Sequence, residues 1–189
     1  MRIIAGSARG RQLQAVRGPG TRPMTNRAKA ALFSIIESHI RDSEFLDLFA
    51  GTGQVAIEAL SRGAGRAILV EKGAAALRAI RANLRIAQVE DRAEVLRADV
   101  LKYLEQTPVP FDYIFVAPPQ YRGWWLQTLS LIDAQPDWLL ADGWVIVQIN
   151  PTEYEETDLE NLTLFDRRTY GSVMLCFYAR QDAVQEEAD

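Results

Sequence analysis

From residue 45 onward, short apolar runs rich in β-branched residues alternate with longer amphipathic ones, and this alternation constrains the fold more than any other feature of the chain. Residues 45–50 read as a strand and are followed by a helical pattern to Arg62. Residues 66–71 read as a strand before a helix over 74–87, and residues 93–98 as a strand before a short helix to Glu105. Residues 112–116 read as a fourth strand and 143–149 as a fifth. Strands separated by helices cannot pair as hairpins, so they form a parallel sheet covered on both faces. Two further strands, 162–170 and 173–180, are separated only by Gly171-Ser172 and form a closing hairpin. Upstream, residues 2–6 and 12–16 read as two strands of an antiparallel ribbon. A helix over about 26–40 follows, started by Thr25 or Asn26 and ending near His39. The division is therefore an arm over 1–25 and one α/β domain over 26–189, with the acidic end from Gln181 to Asp189 expected to fray.

Several function classes fall away on composition. No run approaches the ~20 apolar residues that cross a bilayer, and the start, Met1-Arg2-Ile3-Ile4, lacks a signal-peptide core, so the expected location is cytoplasmic. Cys176 is the only cysteine and sits in an apolar strand, which makes it a packing residue. His39 is the only histidine, so neither a histidine triad nor a multi-histidine metal centre can be assembled, and no metal is expected.

The net charge of -4 is unevenly spread. Residues 1–29 carry Arg2, Arg9, Arg11, Arg17, Arg22, Arg27 and Lys29 and no acid, leaving 14 basic and 25 acidic residues in the remainder. A cationic arm on an acidic body suits a phosphate backbone, and an ordinary solvated hairpin with a charge bias is the alternative.

The motif that carries chemistry is Leu46-Asp47-Leu48-Phe49-Ala50-Gly51-Thr52-Gly53-Gln54. A strand ends in two glycines where the chain must turn tightly and let a ligand approach the backbone before a helix begins. Gly-x-Gly-x-x-Ala also suits a nicotinamide dinucleotide, and Glu71 at the end of the second strand could accept ribose hydroxyls in either case. Asp47 favours a cofactor with an amino group, since a pyrophosphate gains nothing from a neighbouring carboxylate; a strand-end residue satisfied by backbone donors is the alternative. Asp99, after the third strand, completes a set of three strand ends that could hold a methionine part, a ribose and an adenine; its alternative is a helix N-cap.

Taken in order, Arg2-Ile-Ile-Ala-Gly6, Arg9-Gly-Arg-Gln-Leu13, Thr21-Arg-Pro-Met-Thr-Asn-Arg27 before an Ala-Leu-Phe helix, Leu46 to Gly53 and Ile57-Glu-Ala-Leu-Ser-Arg-Gly-Ala64 resemble the RsmD family over almost the whole chain. These are bacterial methyltransferases acting on the exocyclic N2 of guanine in small-subunit ribosomal RNA. The resemblance implies a class I methyltransferase fold, a Rossmann-like α/β seven-stranded sheet whose last strand is antiparallel, with an N-terminal β-hairpin arm. It implies S-adenosylmethionine as cofactor, held by Asp47, Phe49, Gly51, Gly53, Glu71, Lys72, Asp99 and Val100. It implies ribosomal RNA as partner, free or within an assembling small subunit, with Arg22, Pro23 and Arg27 bordering the active site; Arg2, Arg9 and Arg11 of the basic arm are expected to meet its phosphates, and Trp124 a base. In such enzymes an Asp-Pro-Pro-Tyr motif follows the fourth strand, whereas this chain has Ala117-Pro118-Pro119-Gln120-Tyr121.

The missing carboxylate matters because an exocyclic amine has its lone pair delocalised into the ring. The site must accept its N–H bonds to aim that pair at the methyl carbon. Gln120 or the carbonyls of Ala117 and Pro118 are the nearest replacements, while Tyr121, Trp124 or Trp125 could stack on a flipped base, helix packing being the alternative for the tryptophans. The altered loop leaves two other readings open: a methyltransferase for another amine or amide, such as DNA adenine N6 or protein, and a silent RNA-binding or assembly protein.

Overall fold

The computed structural model describes residues 1–16 and 24–186. Its elements run α1 (Asn26–Ile35), β1 (Glu44–Leu48), α2 (Gln54–Ser61), β2 (Arg66–Glu71), α3 (Ala74–Ala87), β3 (Ala93–Arg97), α4 (Val100–Leu104), β4 (Phe111–Val116), α5 (Trp124–Ala134), β5 (Leu139–Ile149), β6 (Leu162–Tyr170), β7 (Val173–Arg180) and α6 (Gln181–Glu186). One seven-stranded sheet has the order β3-β2-β1-β4-β5-β7-β6. The first five strands are parallel, and β7 lies antiparallel between β5 and β6. The expected Rossmann-like sheet with an antiparallel last strand is the sheet observed.

Alternating side chains assign the two faces. Phe45, Leu69, Tyr113, Phe115, Ile146 and Phe177 pack in one core with α1, α2 and α3. Leu46, Leu48, Val70, Ile114, Val116, Val147 and Cys176 pack in the other with α4 and α5. Cys176 is fully buried, and burial pushes its thiol up to about 11, which suits the packing role expected of it.

Three local expectations are corrected. The N-terminal ribbon is shorter than residues 2–6 and 12–16: one antiparallel bridge, Arg2 to Gln12, is flanked by backbone hydrogen bonds from Ile3 to Arg11 and from Leu13 to Met1, and Ile3, Ala8 and Leu13 turn inward and join the α1–α2–α3 core. Helix α1 stops at Ile35, so His39 lies in the following turn, against Ser38, instead of in the helix. Residues 181–186 form α6 where a frayed end was expected, started by Gln181, whose backbone N–H and side-chain amide reach the carbonyls of Asn161 and Leu159. The N-cap reading at Thr25 holds: its hydroxyl accepts from the Ala28 N–H at 3.2 Å.

The arm is fastened to α2 by a buried carboxylate. Glu58 accepts from the Ile4 and Ala5 N–H groups, pairs with Lys29 at 3.1 Å and is bonded by Arg62 at 3.0 Å. Lys29 also donates to the Arg2 carbonyl. On the far side, Asn83 of α3 exchanges hydrogen bonds with the Gln14 backbone and donates to the Thr52 carbonyl at 2.9 Å, tying the arm to the glycine loop.

Candidate functional site

The sheet order reverses between β1 and β4, whose C-terminal ends carry the glycine loop and the 117–123 loop. Such a switch point opens a crevice, because the chain leaves adjacent strands in opposite directions. Here the crevice is a cleft of about 820 Å³, within the ~300–1,000 Å³ usual for cofactor and small-molecule sites. Its lining includes Asp47, Phe49, Gly51, Glu71, Lys72, Asp99 and Val100, together with the whole run from Ala117 to Arg122 and Trp124.

Two glycines that look equivalent in sequence do different work. Gly51 has φ +57° and almost nothing near the side where a Cβ would stand, so it offers open backbone to a ligand, while its N–H is held by Glu71 at 2.9 Å. Gly53 is not part of the cleft wall. A Cβ there would meet Leu69 at 3.0 Å and Ile57 and Ile80 at 3.4 Å at a φ of +72°, so it serves close packing of the loop against β2 and α3. Phe49 between β1 and the loop also has a positive φ, 62°, a strained conformation for an aromatic residue. Its ring stacks on Trp124, with centroids 6.1 Å apart.

The three carboxylates are held differently. Asp47 is 2 % exposed and, among the described residues, accepts one long hydrogen bond, from the Ala56 N–H at 3.3 Å; burial drives its pKa up to about 7, against the weaker pull of that bond. Glu71 clamps the loop, taking the Gly51 N–H on one oxygen and the Gly73 N–H on the other. A carboxylate has about four acceptor positions, so lone pairs remain for hydroxyl groups. Asp99 does cap α4, through Leu101 N–H at 3.1 Å, and its second oxygen takes Lys72 at 3.0 Å; the hydrogen bond from Lys72 holds its carboxyl below the usual range. The N-cap role and the place in the cleft wall coexist. Lys72 and Arg122 both lie 5.3 Å from the centre of the Trp124 ring.

At the other end of the cleft, Ala117 is joined to Leu48 by a backbone hydrogen bond, Pro119 is exposed, and Gln120 is half-buried. Tyr121 is 68 % exposed, with φ 60° and its N–H donated to Glu153, so its ring stands free at the rim. Trp124 is on the wall while Trp125 is 2 % exposed in the core, so the tandem splits between site and packing.

The predicted RNA contacts are less uniform. Arg2, Arg9 and Arg27 are exposed, away from the cleft wall. Arg11 spends its guanidinium on the C-terminal end of α3, donating to the Ile86 carbonyl and to Gln88 Oε1, which makes it a clasp of the fold. Arg22 and Pro23 lie outside the described residues. Sequence reading missed Gln54, Gln148, Met24 and Arg122, all on the wall. Gln148 carried a usable signal, a polar residue inside the apolar run Val145-Ile-Val-Gln-Ile149. Gln54 is the more unusual: it is 6 % exposed and its side-chain oxygen has no donor among the described residues.

Residues 1–179 match a protein family described as Conserved hypothetical protein 95. The chain is 32% identical over 189 residues to the ribosomal RNA small subunit methyltransferase D of Escherichia coli, covering 100% of this chain and 94% of that one. It is 34% identical over 185 residues to YlbH, a candidate rRNA methyltransferase of Bacillus subtilis, covering 96% of this chain and 100% of the relative. The solved structure of yhhF, a candidate methyltransferase from Escherichia coli, superposes with a TM-score of 0.84 at 32% identity, covering 95% of this chain and 97% of that one.

Proposed function

Since this chain belongs to the Conserved hypothetical protein 95 family, the RsmD family of ribosomal RNA methyltransferases, we infer that it transfers a methyl group from S-adenosylmethionine to the exocyclic N2 of a guanine in small-subunit ribosomal RNA. The observation that carries the cofactor reading is Asp47. A carboxylate buried beside an open cleft, with one weak donor and no cation among the described residues, is costly to leave unpaired and gains from a bound cation. The ammonium end of the cofactor is such a cation, whereas the pyrophosphate of a dinucleotide would be repelled. Glu71 lies further along the wall with spare acceptor positions for ribose hydroxyls. Asp99, Val100 and Leu101 line the end where an adenine amino group would find the Asp99 carboxylate.

When bound, S-adenosylmethionine would supply an electrophilic sulfonium methyl carbon for the amine nitrogen, with the thioether as leaving group and the nitrogen's proton going to water. The protein's part is positioning and exclusion of water. Pro118 and Pro119 stiffen the loop and remove two N–H donors that would compete for acceptors. Tyr121 stacks on the unstacked base at the rim, a contact of ~1–3 kcal/mol per base. Arg2, Arg9 and Arg27 grip phosphates without reading sequence, with Arg22 and Pro23 in the segment between them. Ribosomal RNA as substrate, free or in an assembling subunit, gives a cytoplasmic site of action. No helix among the described residues is long and apolar enough to cross a membrane.

The test is methyl transfer from labelled cofactor to small ribosomal subunits lacking the modification, with the product nucleotide mapped by mass spectrometry. N2-methylguanine is the expected product. A methylated adenine or protein amide instead would move the activity to another amine. Cofactor binding without transfer to any substrate would identify a silent RNA-binding protein.

A further inference from the structure

Gln54 is the first residue of α2 and stands directly after the glycine loop, with its side chain in the wall of the cleft. Its Oε1 is buried and accepts nothing from the described residues. Buried acceptors are almost always satisfied, so this one points to a donor that arrives with a ligand once the amide turns its oxygen toward the cleft. In the same cleft, the loop after β4 has a methyl group at Ala117 where a carboxylate acceptor would hold an amine.

The two features lie on one side of the sheet. Asp47 of β1 pairs in register with Phe115 of β4, and Ala117, two residues on, returns to the face of Phe115. Helix α2 covers that face: Val55, Ile57 and Phe115 share one core, and Ala117 packs against it. Gln54 therefore enters the cleft from the helix that lies over Ala117, and Phe115, Ala117 and Gln54 all contribute to one wall. Gln120 is placed less well, half-buried beside the exposed Tyr121, where water competes for its amide.

Resting on the guanine-N2 reading above, we propose that Gln54 Oε1 accepts an N–H bond of the target amine and so replaces the absent carboxylate after β4. An amide oxygen accepts the bond without taking the proton. The backbone carbonyls of Ala117 and Pro118 remain for the other N–H. Gln54 thereby turns the lone pair of the amine toward the methyl carbon.

The experiment compares wild type with Gln54→Met, Gln54→Glu and the double variant Gln54→Met/Ala117→Asp, reading kcat on unmodified small subunits and cofactor Kd by calorimetry. Gln54→Met should lower kcat about 10–100-fold, the loss of one transition-state hydrogen bond, and leave Kd within about threefold. Ala117→Asp in the same chain should restore turnover at least in part, which a purely structural role for Gln54 does not explain. Gln54→Glu keeps an acceptor and should retain activity, so it tests the role even where Gln54→Met does not fold. Unchanged kcat in Gln54→Met, a Kd that weakens in step with kcat, loss of activity in Gln54→Glu, or no rescue by Ala117→Asp each overturns the proposal; the weakened Kd would assign Gln54 to the cofactor's ammonium instead. Wild type that makes no N2-methylguanine sinks the functional reading itself, whereas these variant results with an active wild type sink the Gln54 proposal alone.

Discussion

Asp47 and Glu58 are both buried carboxylates, on β1 and on the helix that follows it, yet they have opposite surroundings. Glu58 is saturated by two backbone N–H groups, Lys29 and Arg62, and does not line the cleft. Asp47 has one N–H at 3.3 Å and a cleft in front of it. The difference separates a staple from a site: a charge compensated within the fold contributes to the fold, and one left uncompensated beside open space contributes to binding.

The largest expected effect breaks the staple. Lys29→Met leaves a fully buried acid with one cation fewer and should cost about 3–5 kcal/mol of stability by chemical denaturation, as for other buried pairs cut on one side. The arm should become sensitive to proteolysis near Ile4 and Ala5. Stability unchanged by Lys29→Met would remove the distinction drawn between the two acids.

Next comes Glu71→Ala. It removes the acceptor expected for ribose and releases the N–H groups of Gly51 and Gly73; with charge-assisted bonds worth ~1.5–3 kcal/mol, cofactor Kd should rise at least tenfold. Calorimetry showing the same Kd would mean that the cofactor sits elsewhere.

Asp47 gives a pH signature. Its folded pKa of about 7 lies above the ~3.9 of an unfolded aspartate, so the unliganded fold is favoured by the neutral form. That contribution is full below about pH 4 and is lost as pH rises through about 7. Cofactor binding runs the other way, because the ammonium wants the charged carboxylate. Affinity should fall by at least about tenfold from pH 7.5 to 5.5, a window in which an α-amino group of pKa ~7.7–8.0 stays mostly protonated. Asp47→Asn should flatten this dependence and leave the unliganded protein at least as stable at pH 8. A slope that persists in Asp47→Asn belongs to another group.

The smallest effect concerns the arm. Neutralising Arg2 and Arg9 should reduce the salt dependence of RNA binding by roughly 0.7–0.9 of a log unit per lost phosphate contact, without touching cofactor Kd. Arg11→Gln should instead lower the melting temperature, since Arg11 caps the end of α3. An arm whose three arginines behave alike would undo that division.

How much of this was legible in the sequence depends on range. Asp47, Glu71 and Asp99 could be placed because each stands at or just past the C-terminal end of a strand, and parallel strands deliver their ends to the same edge of the sheet. Gly51 and Gly53 looked alike in sequence, and only Leu69, Ile57 and Ile80 packed around Gly53 tell them apart. Charge counting put seven cations in residues 1–29, but Lys29 and Arg11 are spent on Glu58 and on α3, more than 25 residues away in the chain. Gln54 gave no signal at all, being one polar residue at the start of a helix that the fold buries on every side.

The alternation of strand and helix periods, the glycine loop and its carboxylates were determined locally, by backbone sterics and by the two-residue and 3.6-residue repeats of side-chain direction. Tertiary structure alone decided which charges are compensated and which acceptor is left open, because compensation depends on partners brought together by packing across the sheet and not on neighbours along the chain.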